Sequence, residues 1–159
     1  MKEKNSKRLR GSIVFFVLGS VGFALFRVFN RFFKTKDNKD RKYSQLYDNW
    51  LVIKERGDGI EKYFRENHYR EIAVYGYGNI GRHVVTQLLD TDITVKYIID
   101  RRRGVTENKI DRYCMTDQLP EVDAIVVTPI CEYQEIKTEL QQKKAGQIVS
   151  IEDIVYELL

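Results

Sequence analysis

Apolar and polar positions follow different rhythms along this chain. From Gly11 to Phe26, "GSIVFFVLGSVGFALF", sixteen residues run without a charge. That run has no polar face, unlike a surface helix, whose apolar stripe covers one side only. After a charged stretch, Tyr43, Leu46, Tyr47, Trp50, Leu51 and Ile53 recur at helical spacing and predict an amphipathic helix over 43–55. Gly57 is expected to end it, and Asp58-x-x-Glu61 to form a capping box for a second helix through Tyr63 and Phe64 to about Glu66. The aromatic stripe is expected to pack on the globular part rather than to form a ligand platform.

From Glu71 onward, short apolar runs alternate with helical patterns. "EIAVYG" predicts a strand, and "NIGRHVVTQLLD" a helix carrying Ile80, Val84, Val85 and Leu88 on one face. "TVKYIID" (94–100) predicts a second buried strand ending in an acid, and "KIDRYCM" (109–115) a short edge strand. "DAIVVTP" (123–129) reads as a fourth strand, about 132–143 as a helix, "QIVSI" (147–151) as a last strand and "EDIVYELL" as a closing helix. Strands alternating with helices imply an α/β fold. The expectation is a Rossmann-like parallel sheet of about five strands, ordered 3-2-1-4-5, preceded by an N-terminal membrane helix and a helical connector. The implied divisions are a basic tail and membrane-attaching helix (1–33), a charged linker and helical connector (34–70), and the nucleotide-binding domain (71–159).

Charge changes the picture at the N-terminus. Residues 1–10 hold five Lys/Arg against one acid, and residues 27–42 hold seven against Asp37 and Asp40. From Tyr43 onward the balance reverses, with 15 basic and 20 acidic residues. A basic N-terminal quarter on an acidic remainder argues against nucleic acid as partner and for a membrane surface. Sixteen helical residues reach about 24 Å, short of a hydrocarbon core of ~30 Å. Counting on through "VFNRFF" to Phe33, with Arg27 and Arg31 snorkelling, gives 23 residues and a sufficient length. A cleaved signal peptide, with Gly22 and Ala24 as small residues, is one alternative, but the "LFRVFNRFF" that follows is too apolar for a mature N-terminus. A buried core helix is another, opposed by the heavy basic flanks at both ends. Basic flanks on both sides leave orientation open, and a helix lying in the interface would satisfy both. The cytoplasm is the expected side for the globular part. Cys114 and Cys131 form no C-x-x-C and imply neither a disulfide framework nor a zinc site.

The glycines supply the candidate chemistry. Gly76, Gly78 and Gly81 are spaced G-x-G-x-x-G between a strand and a helix, and Asp100 follows Gly76 by 24 residues at the end of the next strand. Gly76 permits the tight turn, Gly78 admits a pyrophosphate close to the backbone, and Gly81 lets the helix pack on the strand. Amides of Tyr77, Asn79 and Ile80 complete a helix N-terminus aimed at an anion. Asp100 is placed to accept ribose hydroxyls, which favours NAD(H). Arg101, in the run Arg101–Arg103, suits a 2′-phosphate or a diphosphate-sugar equally. Thr128, ending the fourth strand, would face the loop across the point where strand order reverses, although turn formation explains it more simply. The bland alternative is a tight βα corner that holds nothing.

"IAVYGYGNIGRHVVTQLLDTDITVKYIIDRR" followed by "DQLPEVDAIVVTPI" resembles the Rossmann-like nucleotide-binding domain of bacterial cell-surface polysaccharide biosynthesis proteins. These are nucleoside-diphosphate-sugar epimerase- or dehydratase-like proteins; the stretch is also similar to the N-terminal domain of sugar acetyltransferases. The likeness runs from 71 to about 159, through Gly76, Gly78, Gly81, Asp100, the segment Asp117–Glu121 and Pro129. It implies a nucleotide or nucleotide-sugar ligand, a membrane setting and a polysaccharide-biosynthesis enzyme as partner. Such relatives usually carry a catalytic part after this domain, and the sequence in hand stops at Leu159.

Turnover has one motif in its favour. Tyr133-x-x-x-Lys137 matches the pair in which a lysine lowers a tyrosine pKa for acid–base work. It begins only 55 residues after Gly78, too early for the dehydrogenases and epimerases that use it. The expectation is therefore a binding protein without established catalysis, an accessory or sensing subunit holding NAD(H) or a nucleotide-sugar. A small NAD-dependent epimerase and an adaptor with an empty loop are its rivals.

Overall fold

The computed structural model describes Arg27, Lys36 and residues 38–159. The chain divides into two compact units, Met1–Lys42 and Tyr43–Leu159. Apart from Arg27, the apolar stretch expected to attach to a membrane lies outside the described residues. Among the described residues no helix is long and apolar enough to cross a membrane.

The second unit is α/β. Its strands are β1 (Glu71–Tyr75), β2 (Thr94–Ile99), β3 (Gly104–Val105), β4 (Asp111–Tyr113), β5 (Ala124–Val127) and β6 (Gln147–Ser150). They form one sheet in the order β3-β4-β2-β1-β5-β6. Every pairing is parallel except that of β3 with β4. The five strands expected from the sequence stand in the expected order. The sixth is a correction, because β4, anticipated at the edge, is covered by β3. The chain reverses through residues 106–110, so that Val105 pairs with Asp111 and Gly104, at φ 122°, with Arg112.

Strand residues alternate between two cores, as a period of two requires. On β1, Ile72 and Val74 enter one cluster and Ala73 the other; on β5, Ala124 and Val126 face one side, Ile125 and Val127 the opposite. Both faces are buried, which is why these strands read as continuous apolar runs. Helix α1 is helical over 38–55 and so begins within the stretch expected as a charged linker. The first face is packed by α1, through its residues from Tyr43 on, and by α2 (Glu61–Glu66), α3 (Asn79–Leu88) and α5 (Ile151–Glu157). The second is packed by α4 (Tyr133–Lys143), with Met115 and Leu119 from the segment before β5.

The aromatic helix α1 contributes directly to the core. Leu46, Trp50 and Ile53 are buried in the same cluster as Ile72 and Val74 of the sheet. The Trp50 indole N–H donates to Gln87 Oε1 on α3 at 3.3 Å. The other half of the stripe behaves differently, since Tyr47 and Leu51 remain exposed. Full burial of a side chain such as Ile53 or Phe64 stabilises by about 1.5–3 kcal/mol, so α1 and α2 hold a real share of the fold's stability.

Helix α1 ends as the sequence suggests. Gly57 sits at φ 81°, its amide bonds Lys54 O, and the Asp58 amide bonds Ile53 O, closing a Schellman motif. The capping box is a correction. The residue before α2 is Ile60, no side chain caps that helix, and Asp58 instead faces Lys62 at 3.7 Å. Asp58 is consumed by the closure of α1, and the chain must first sink Ile60 into the core before it can coil again. At the far end, Arg56 donates to the carbonyl oxygens of Leu158 and Leu159, tying α1 to the C-terminal end of α5.

Candidate functional site

The glycine loop lies between the carboxyl end of β1 and the start of α3. The Gly76 amide extends the ladder to Ile99 O at 2.9 Å, and the chain then turns at φ 88°. A Cβ at Gly76 would stand 2.8 Å from Thr128 Oγ1, and one at Gly81 would stand 2.0 Å from the Gly76 carbonyl oxygen. The fold therefore demands glycine at both places. Gly78 is different. Its φ is −79°, a value any residue adopts, and a Cβ there would meet nothing within 4 Å.

Gly78 is also the residue from which α3 springs. No side chain caps this helix, and no acidic residue stands in its first turn. The amides of Asn79, Ile80 and Gly81 thus have no acceptor within the helix, and no acid of the helix itself offsets the positive end of its dipole. Gly78 and Asn79 are exposed, whereas the Ile80 side chain is buried in the core, so Ile80 offers a ligand only its backbone.

Asp100 closes the loop from the β2 side. Its Oδ2 accepts the Tyr77 amide at 2.8 Å and its Oδ1 the Arg102 amide at 3.3 Å. Burial pushes its pKa up, but the amides of Tyr77, Arg102 and Arg101 and the charge of Arg102 outweigh this and hold it below the usual carboxylate value. A carboxylate offers about four lone-pair sites, so capacity for sugar hydroxyls remains. The same device occurs where no ligand is expected. At the amino end of the sheet, Asp123 Oδ2 accepts the amides of Arg70 at 2.7 Å and Glu71 at 2.8 Å. Carboxylate-to-amide clamping is in that place purely structural.

The remaining expected residues divide. Arg101 and Arg102 are exposed beside the loop, while Arg103 pairs with Asp117. Thr128 is buried and serves the backbone. Its amide donates to Tyr75 O at 3.1 Å, and its hydroxyl lies 3.0 Å from both Tyr75 O and Gly76 O, with one proton to give. Turn formation is therefore its visible role. Tyr133 and Lys137 do meet, the ammonium standing 5.4 Å from the ring centroid, but the Tyr133 hydroxyl donates to Ile148 O on edge strand β6 at 3.3 Å. That proton is directed two strands away from β1.

Sequence reasoning placed Tyr77 in the loop for its amide and missed its side chain. The ring is buried and meets two guanidiniums, with Arg82 Cζ 5.4 Å and Arg112 Cζ 4.8 Å from its centroid. Its hydroxyl donates to Glu107 Oε1 at 3.1 Å. Burial, and then Glu107, push the Tyr77 pKa up. Glu107 itself is held below the usual value by its own amide first and then by Tyr77, Arg82 and Arg112, which together outweigh the opposing effect of burial. No local pattern announces this cluster, which draws on the loop, α3, the β3–β4 turn and β4.

The residues present suit a diphosphate-bearing ligand: uncapped amides, an open approach at Gly78, an ionised carboxylate with lone pairs to spare, and two exposed arginines. Compared with known proteins, the chain matches no family model and no curated protein sequence.

Proposed function

We propose that this chain is a nucleotide-binding protein that holds NAD(H) or a nucleotide-sugar at the glycine loop and acts by binding rather than turnover. One observation carries the reading. Two of the three glycines are explained by packing, and the third, Gly78, has no steric or conformational reason to be glycine. Close approach of a ligand to the backbone supplies that reason, at an uncapped helix N-terminus suited to a diphosphate. The Rossmann-like sheet order and the acid ending β2 support the same conclusion. Attachment to a membrane through residues 11–33 rests on the apolar run and its basic flanks, and placement of the globular part in the cytoplasm rests on the nucleotide it is proposed to hold. An accessory or sensing role beside an enzyme of bacterial surface polysaccharide assembly rests on motif resemblance.

An adaptor with an empty loop is the second reading, and one observation favours it: Asp100 already binds the Tyr77 amide, as Asp123 binds amides at a purely structural corner. Isothermal titration of the 159-residue chain in mild detergent with NADH, NADPH, UDP-sugars and coenzyme A separates the two. Saturable heat with NADH or a UDP-sugar is the expected result, unchanged in Tyr133→Phe. Silence with all four would leave the adaptor standing.

A further inference from the structure

We propose that the Glu107 carboxylate is an internal anion that straps the β3–β4 turn across the glycine loop, and that an anionic ligand entering the loop displaces it. The displacement half rests on the nucleotide reading above; the strap itself does not.

Three elements converge on this one carboxylate. Tyr77, from the loop, donates its hydroxyl to Oε1 at 3.1 Å. Arg82, from the first turns of α3, places Nη1 at 4.0 Å from Oε1. Arg112, from β4, places Nη2 at 3.8 Å from Oε2. Two guanidiniums thus share one carboxylate, leaving a surplus positive charge beside the uncapped end of α3. Arg112 Nε adds to the imbalance, being buried with no hydrogen-bond acceptor among the described residues. A buried donor left without an acceptor is costly. A cluster with excess cation and an idle donor is therefore one that a more highly charged anion fills better than a lone carboxylate does.

The strap is also built to release. Both ion pairs are long, and the Glu107 side chain is 56 % exposed, so solvent screens them heavily. The turn bearing Glu107 closes on itself, through the Thr106 amide to Ile110 O at 2.9 Å and the Ile110 amide to Thr106 Oγ1 at 3.0 Å. On one side it joins the sheet by the two-residue β3 at the outer edge, where Gly104 has φ 122° with open space around it, and on the other it runs into β4, which is paired with β2. The β3 arm and the Glu107 tip can therefore swing while Ile110 stays packed and β4 stays paired. When they do, Arg82 and Arg112 are freed beside the glycine loop, and the Tyr77 ring loses its tether.

Hydrogen–deuterium exchange and titration on the full 159-residue chain and on Glu107→Gln test both halves, with ADP and UDP as probes of a shared diphosphate chemistry. Amides 104–111 are expected to exchange faster in Glu107→Gln than in the parent, and saturating probe should produce the same acceleration in the parent. Removing the competing carboxylate should tighten binding of ADP or UDP about five-fold, the scale of an exposed ion pair. Unchanged exchange in Glu107→Gln overturns the strap. Equal or weaker binding by Glu107→Gln, with the parent binding normally, overturns displacement while the nucleotide reading survives. No binding by either protein removes the nucleotide reading and displacement with it.

Discussion

Helices α3 and α5 both follow a parallel strand directly, yet their N-termini are finished in opposite ways. At α5, the Ser150 hydroxyl accepts the Glu152 amide at 3.1 Å, and Glu152 and Asp153 place negative charge in the first turn. Cap and dipole are both satisfied from within. At α3, the corresponding residue is Gly78, there is no cap, and the first turn holds no acid. The chain clearly can finish a helix N-terminus, since it does so on the same face of the same sheet. Leaving α3 bare forgoes stability that one hydroxyl would supply, and the forgone stability lies beside Asp100 and two exposed arginines.

The strongest way to break the contrast is to prevent α3 from seating at all. In Gly81→Ala the new Cβ meets the Gly76 carbonyl oxygen, a backbone atom that cannot turn aside. A loss of about 3 kcal/mol or more is expected, the upper range of overpacking, with the melting temperature falling on the order of 10 °C. Thermal unfolding followed by circular dichroism reads it directly. A near-native melting point would mean that the loop and helix are not packed as described.

A smaller effect sharpens the other side of the comparison. Ser150→Ala removes the cap of α5 and should cost about 1 kcal/mol in chemical denaturation, with no change in ligand titration. If binding fell along with stability, the two helix ends would not be independent.

Smaller again at neutral pH is Asp100→Asn, because the amide oxygen of Asn still accepts the Tyr77 amide. Its signature is in acid. The folded-state pKa of Asp100 lies below its unfolded value, so the group contributes stability that is complete above about pH 4 and is lost as pH falls through the folded pKa. The variant's stability should therefore fall less steeply than the parent's over that acid limb. Identical limbs would show that the carboxylate gains nothing from the loop amides.

Much of this architecture was legible because it obeys local rules. β1, β2 and β5 are apolar runs that a sheet buried on both faces requires, and the glycines with their following helical pattern fix the βα corner. What escaped depends on distant partners. β3 is only Gly104–Val105, too short to alternate, and it exists because Asp111 and Arg112 are there to pair with it. The false capping box at Asp58 matched in spacing, but the closure of α1 had already engaged that residue's amide. The Tyr77 side chain drew no expectation of its own, and its meaning comes from Arg82, Glu107 and Arg112. Loop position was readable, then, while loop occupancy by the chain's own groups was not.

The least destabilising change is the most informative one. Gly78→Ser writes the α5 solution onto α3. The backbone is already extended at that residue, and a Cβ has open space, so a serine can place its hydroxyl over the first-turn amides without strain. Stability should rise by a few tenths of a kcal/mol, the usual margin of a serine cap over glycine. If the loop grips a diphosphate, the same hydroxyl occupies the amides the ligand needs, and titration with NADH or a UDP-sugar should lose most of its heat. The opposite signs are what matter, since a variant that is more stable and yet unable to bind cannot be dismissed as misfolded. Undiminished binding in a stabilised Gly78→Ser would show that the bare end of α3 was never the seat of the ligand, and that the two helices differ for reasons of folding alone.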